Sequence, residues 1–210
     1  MRKLTGPPSP WPLLRPILGP EGGYVMDADT ILDAALAVAA ERGWRDATLS
    51  NIAAQAGCGL ADVYRHFPSK GAVMRASVAR IDAAVLSETG AAGEEEAFRD
   101  RLFDLLMRRY DALKPHREVI RACWRDLRRD PLASAPLAPA LARSMAWMLE
   151  AAGAPAHRPL DLLRVKLLAG IHLSVMRVWL RDDSEDLGRT MASLDKALKR
   201  WAPMLEGRRC

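Results

Sequence analysis

Between Thr48 and Pro68 the chain runs through two short apolar-periodic segments hinged on Gly57-Cys58-Gly59, and few folds accept such a run. Thr48 stands where a helix cap is needed, and Leu49, Ile52, Ala53 and Ala56 then fall on one helical face. Gly57 follows as a natural left-handed stop. The second segment, 60–67, is closed by Pro68. Two short helices joined by a tight glycine turn are the signature of a helix-turn-helix. Before them, Ile31, Leu32, Ala35, Leu36 and Ala39 share one face of a helix capped by Asp27 or Asp29 and ended by Gly43. Ser69 caps a fourth helix that runs on toward Leu86.

The remainder reads as helix throughout. Gly90 to Gly93 marks a break, and a helix over about 94–113 buries Phe98, Leu102, Leu105 and Leu106 before Pro115 ends or bends it. Another covers about 116–129, with Val119, Ile120, Cys123, Trp124 and Leu127 apolar. Pro131, Pro136 and Pro139 form a loop or helix start leading into 141–152, and 153–159 is a second break. Two last helices span about 160–180 and 184–205. In the final one Leu187, Met191, Leu194, Leu198 and Trp201 recur at heptad spacing, a seam suited to packing helix on helix. No segment alternates long enough to compete as a strand. The expectation is an all-α chain of about nine helices, with a three-helix N-terminal domain over 27–75 and a helical bundle domain over 76–206.

Segment 1–26 stands apart. It carries six of the chain's fourteen prolines and no apolar period, so it reads either as a flexible arm or as a start called ahead of Met26. Those prolines also break the only run that resembles a signal peptide, and no uncharged stretch reaches the roughly 18–20 residues a bilayer crossing needs. No membrane insertion and a cytoplasmic setting are expected. Cys58, Cys123 and Cys210 are too scattered for a disulfide framework or a zinc site, and the four histidines show no ligand spacing. There is no G-x-S-x-G and no phosphate-cradling glycine loop, so no enzyme, metal or cofactor is expected.

Net charge of +5 suits a nucleic-acid partner, but its distribution matters more. Between Asp27 and Asp82 six basic residues face seven acidic ones, a net of −1, so the excess positive charge lies outside the helix-turn-helix.

The run Thr48-Leu-Ser-Asn-Ile-Ala-Ala-Gln-Ala-Gly57, followed by Val63-Tyr64-Arg65-His66-Phe67-Pro68-Ser69-Lys70, resembles the DNA-binding domain of the TetR family over about 29–75. The resemblance implies a TetR-like dimer that places its short second helix in the major groove of a palindromic operator, and a C-terminal domain that takes a small apolar ligand. It also implies that Tyr64 and His66 lie near phosphates and that Lys70 contacts the DNA backbone, contacts that set register and affinity. Thr48 and Ser50 stand at the start of the preceding helix, Ser50 as a phosphate donor, and Arg65 as a guanine reader. Where the family offers serine, lysine and a small polar residue to DNA, this chain has Gly59, Leu60 and Asp62. Leu60 offers itself only to a thymine methyl, while Asp62 either repels phosphate or accepts from a cytosine amino group.

Candidate pocket residues in the C-terminal half are Met107, Tyr110, Trp124, Met145, Met148, His172 and Met176, each with ordinary core packing as the commoner alternative. Leu167, Ile171 and Val175, with Leu187, Met191, Leu194 and Leu198, are the candidate dimer seam of a four-helix interface. The stretches Leu113-Lys-Pro-His-Arg-Glu118 and Trp179-Leu-Arg-Asp-Asp-Ser-Glu-Asp186, with Thr190 and Leu194-Asp195, are loosely similar to a ubiquinone-biosynthesis accessory family that shares the TetR fold. That likeness implies binding of a lipid or isoprenoid rather than DNA. Arg108, Arg109, Arg125, Arg128 and Arg129 would then face anionic headgroups or simply water.

Overall fold

The structure, a computed structural model, describes residues 27–88, 96–129, 137–155 and 161–207. The proline-rich segment 1–26, the break at Gly90 to Gly93, and Pro131 and Pro136 lie outside them. The described residues form nine α-helices and one 3-10 turn, with no strand among them. They are α1 (Ala28–Arg42), α2 (Leu49–Ala56), α3 (Leu60–His66), α4 (Lys70–Ser87), α5 (Phe98–Leu113), α6 (Arg117–Arg129), α7 (Leu137–Ala151), α8 (Asp161–Trp179) and α9 (Gly188–Glu206), the 3-10 turn Lys114–His116 joining α5 to α6. None is long and apolar enough to cross a membrane.

The helix-turn-helix is closed by local hydrogen bonds. The Thr48 hydroxyl accepts from Asn51 N–H at 3.1 Å, which satisfies one of the first-turn donors of α2. At the other end Gly57 adopts φ 71°, and the Cys58 and Gly57 N–H groups reach back to Ala53 and Ala54 carbonyls. This is the paired 6→1 and 5→2 closure that a left-handed glycine permits. Ser69 caps α4 through Ala72 N–H in the same way.

Buried apolar residues fall into two clusters. One gathers Ile31, Leu32, Val38, Ile52, Val63, Phe67 and Val73 from α1 to α4. The larger one gathers Leu102, Leu106, Tyr110, Met145, Met148, Leu168, Trp179, Leu194 and Leu198 from the later helices. α4 belongs to both: Val73 packs into the first cluster and Val85 into the second. Between them Asp82 of α4 forms a buried ion pair with Arg109 of α5 and accepts a 2.7 Å hydrogen bond from the Ser144 hydroxyl of α7. Arg109 is therefore an internal residue and does not face headgroups.

Three sequence expectations are corrected. α5 begins at Phe98 rather than near 94. The last helix begins at Gly188, not Ser184, because 184–187 is a capping turn. Buried Asp182 accepts from Ser184 N–H and hydroxyl and from Thr190 N–H and hydroxyl, holding the first turn of α9. Burial pushes the Asp182 carboxyl up, but these hydrogen bonds outweigh it and bring it down to about 2.

The third correction concerns the heptad seam. Leu187, Leu194 and Leu198, with Ile171 and Val175 of α8, are buried in the chain's own larger core and have no surface to offer a second copy. A heptad spacing says that one face of a helix is packed, not what packs it, and here it is mainly α8 and α5. Leu167 is half-buried and Met191 exposed. The apolar side chains that α8 and α9 present outward are Leu162, Leu163, Met191 and Met204.

The Asp82–Arg109 pair makes a direct prediction. Asp82→Ala leaves a buried guanidinium without its carboxylate and lowers stability by about 3–5 kcal/mol, whereas Asp82→Leu with Arg109→Met recovers most of that loss. Urea unfolding followed by circular dichroism measures both.

Candidate nucleic-acid interface and the cavity behind it

α3 is seven residues long and held from both sides, so its outer face is fixed. Val63 and the cap residue Phe67 are buried against α1, α2 and α4, and Lys70 fastens the α1–α2 connection by donating to the Trp44 carbonyl at 2.8 Å and the Arg45 carbonyl at 3.1 Å. The Lys70 ammonium also sits 5.2 Å from the Trp44 ring centroid. Two of its three donors are thus engaged inside the chain, and partial burial lowers its pKa against the raising effect of Asp46, Asp126 and Cys123.

Arg45, Ala47, Thr48, Leu49, Ser50, Leu60, Ala61, Tyr64 and Lys70 line one shallow depression. Of the sequence candidates, Thr48, Ser50, Leu60, Tyr64 and Lys70 meet there. Tyr64 is 67% exposed and Leu60 51%, an unusual exposure for side chains of that size. Gly59, Asp62, Arg65 and His66 are not part of this lining. Asp62 turns back to accept from Gly59 N–H at 3.0 Å and pairs with Arg65, so acid and base hold one another along α3. His66 is exposed beside Phe67. Sequence reading passed over Arg45 and Ala61. Arg45 carried a signal, a cation three residues before the Thr48 cap, where a helix start faces the same side as α3.

Behind α4 lies a second feature, a cavity of about 340 Å³. Leu36 of α1 and Met74, Ser77, Val78 and Ile81 of α4 wall one side. Leu113, Val119, Ile120, Cys123, Trp124, Leu141, Leu173 and Met176 wall the other. That volume lies at the lower end for small-molecule sites, and the walls are overwhelmingly apolar. Trp124, His172 and Met176 were expected here and line it. Met145 and Met148 do not: they are fully buried in the larger core. Met107 only packs against that core, half-buried. Tyr110 lies one layer back, its hydroxyl 3.0 Å from His172 Nδ1 and donating to the His172 carbonyl at 3.1 Å.

α6 connects this cavity to the exposed face. Its residues Val119, Ile120, Cys123 and Trp124 wall the cavity, and one turn on, the Asp126 carboxylate accepts from Arg45 N–H at 3.4 Å. Cys123 is half-buried between the two, its thiol pushed up to about 11 by burial first and the Asp126 charge second.

Of the loosely similar stretches noted above, 113–118 and 179–186, only Leu113 and His116 line the cavity. The others knit the α8–α9 connection to the α5–α6 corner. Lys114 donates to the Glu185 carbonyl, Arg117 to that of Asp182, and the Arg117 guanidinium lies 4.7 Å from the Trp179 ring centroid.

Residues 31–76 match the family model described as bacterial regulatory proteins, tetR family. No curated protein matches the chain. A TetR transcriptional regulator from Nitrosomonas europaea ATCC 19718 is similar in structure at 27% identity and a TM-score of 0.66, over 83% of this chain and 97% of that one. One from Rhodococcus sp. RHA1 is similar at 24% identity and 0.61, over 82% and 93%. The fatty acid degradation regulator FadR from Bacillus halodurans shares the fold at 20% identity and 0.56, over 86% and 95%.

Burial gives His172 a pH signature. Its imidazole is pushed down to about 3, by burial first and the Arg109 charge second, against 6.5 in the unfolded chain. The unfolded chain therefore binds a proton that the folded one refuses. His172 costs nothing above pH 6.5 and subtracts stability progressively as pH falls from 6.5 toward 3. Between pH 6.5 and 5 its share is about 2 kcal/mol. Denaturant midpoints of His172→Gln are predicted to fall less steeply than wild type over that range.

Proposed function

Taking the chain as a TetR-family DNA-binding regulator, which its N-terminal domain and its whole fold support, we propose that it is a repressor released by a small apolar ligand. A homodimer holds two copies of α3 in successive major grooves of a palindromic operator, with half-sites about one helical turn apart. Exposed Leu162, Leu163, Met191 and Met204 on α8 and α9 supply the apolar surface for pairing with a second copy. The ligand is uncharged and mainly hydrocarbon, matching the walls of the cavity. The setting is cytoplasmic, and no catalytic step is assigned.

One observation carries this reading: the cavity is walled by α1 and α4, which hold the DNA-facing helices, and by α6, whose next turn touches the Arg45 backbone. A ligand that fits one disposition of these helices better than the other shifts the population of DNA-competent protein.

The net charge of −1 between Asp27 and Asp82 favours a second reading, a lipid-binding accessory protein that has lost DNA. Titration into labelled DNA from upstream of its own gene, at two salt concentrations and against unrelated DNA, separates the two. The regulator is predicted to bind saturably and specifically, more weakly at higher salt, and to lose about tenfold or more in affinity in Arg45→Ala and Tyr64→Ala. Equally poor binding of both DNAs at low salt, with lipid extractable from the purified protein, supports the accessory role instead.

A further inference from the structure

The outer face of α3 presents hydrocarbon where a reader of polar base edges would present donors. Leu60 and Tyr64, four residues apart on one face, stand 51% and 67% exposed, and Ala61 lies exposed beside them in the same depression. Asp62, Arg65 and His66 of the same helix do not line it, although Arg65 and His66 are exposed. Asp62 is satisfied by Gly59 N–H and by Arg65, and neither partner of that pair lines the depression. Asp62 thus has its partners within the chain.

On this basis, and resting on the DNA-binding reading above, we propose that Leu60, with Ala61 beside it, selects thymine in the operator half-site through its 5-methyl group. The thymine methyl is the one methyl group that unmodified base pairs display in the major groove; cytosine has only a C5–H in the matching place, and the remaining base-edge positions are hydrogen-bond donors or acceptors. An isobutyl group seated against a donor or acceptor strips its water and returns no partner. Seated against a methyl it buries apolar surface on both sides. Leu60 thus discriminates twice, by contact with thymine and by the unpaired edge it leaves on any other base. Tyr64, one turn on, keeps a hydroxyl for a phosphate and fixes how deeply α3 enters.

The test removes a single methyl group. Binding sites are first selected from a random duplex pool with the full chain. The recovered site is then resynthesised with each thymine replaced in turn by deoxyuridine, which keeps the pairing and loses only the methyl. At one or two thymines per half-site the affinity is expected to drop about three- to tenfold. Leu60→Ala is expected to bind the thymine and uracil versions equally there, and 5-methylcytosine at the same position to bind better than cytosine. Because Leu60 is exposed, Leu60→Ala keeps its fold, and circular dichroism verifies this. Equal wild-type affinity for every uracil-substituted site, or a selected site without thymine beneath α3, overturns the proposal alone. A chain that retains no DNA even at low salt overturns the regulator reading together with it.

Discussion

The buried contact among Asp82, Arg109 and Ser144 fixes α4, which among the described residues contributes to both buried clusters. α4 begins at Lys70, directly after α3, and reaches the larger core at Val85. An ion pair out of water tolerates little displacement, since parting the partners exposes uncompensated charge to a low-dielectric interior. It pins the far end of α4 to α5 and α7, while the near end packs into the smaller cluster at Val73. The cavity lies along the stretch between these points, against Met74, Ser77, Val78 and Ile81. Whatever fills that space bears on the segment of α4 between the anchor and the helices α2 and α3.

Electrostatics around the exposed face of α3 are arranged locally. Although Asp27 to Asp82 carry a net charge of −1, most of these acids are held in ion pairs, while exposed Asp46 lies near enough to Lys70 to act on its charge. Asp29 and Asp33 pair with Arg80, Asp62 with Arg65, and Asp82 with Arg109. The depression that includes Leu60 and Tyr64 is lined by Arg45 and Lys70, with no carboxylate among its described lining residues. A count over sequence cannot see this pairing, because it weighs a buried or paired aspartate equally with a free one.

Local chemistry was legible and partnership was not. Thr48, Gly57 and Ser69 announce their caps through side-chain and backbone chemistry that acts within four residues, and each is found in that role. Leu187, Leu194 and Leu198 announce a packed seam, but not that α8 and α5 of the same chain pack it. Met145 and Met148 were equally eligible for a cavity or a core, and only the tertiary arrangement decides. Lys70 illustrates the remaining limit. Its position suggested a phosphate, while its donors close the Trp44–Arg45 turn, a contact 26 residues distant in sequence.

In the proposed regulator, occupancy of the cavity and binding of DNA are coupled through α4 and α6. Cys123 allows a direct measurement, because it lines the cavity and is half-buried, one turn from Asp126. In a chain with Cys58→Ser and Cys210→Ser, Cys123 is alkylated with N-ethylmaleimide, the single adduct is confirmed by mass and retention of fold by circular dichroism. Operator affinity is then compared before and after. Coupling predicts a loss of about fivefold or more on alkylation. Unchanged affinity with the adduct seated in the cavity would contradict it.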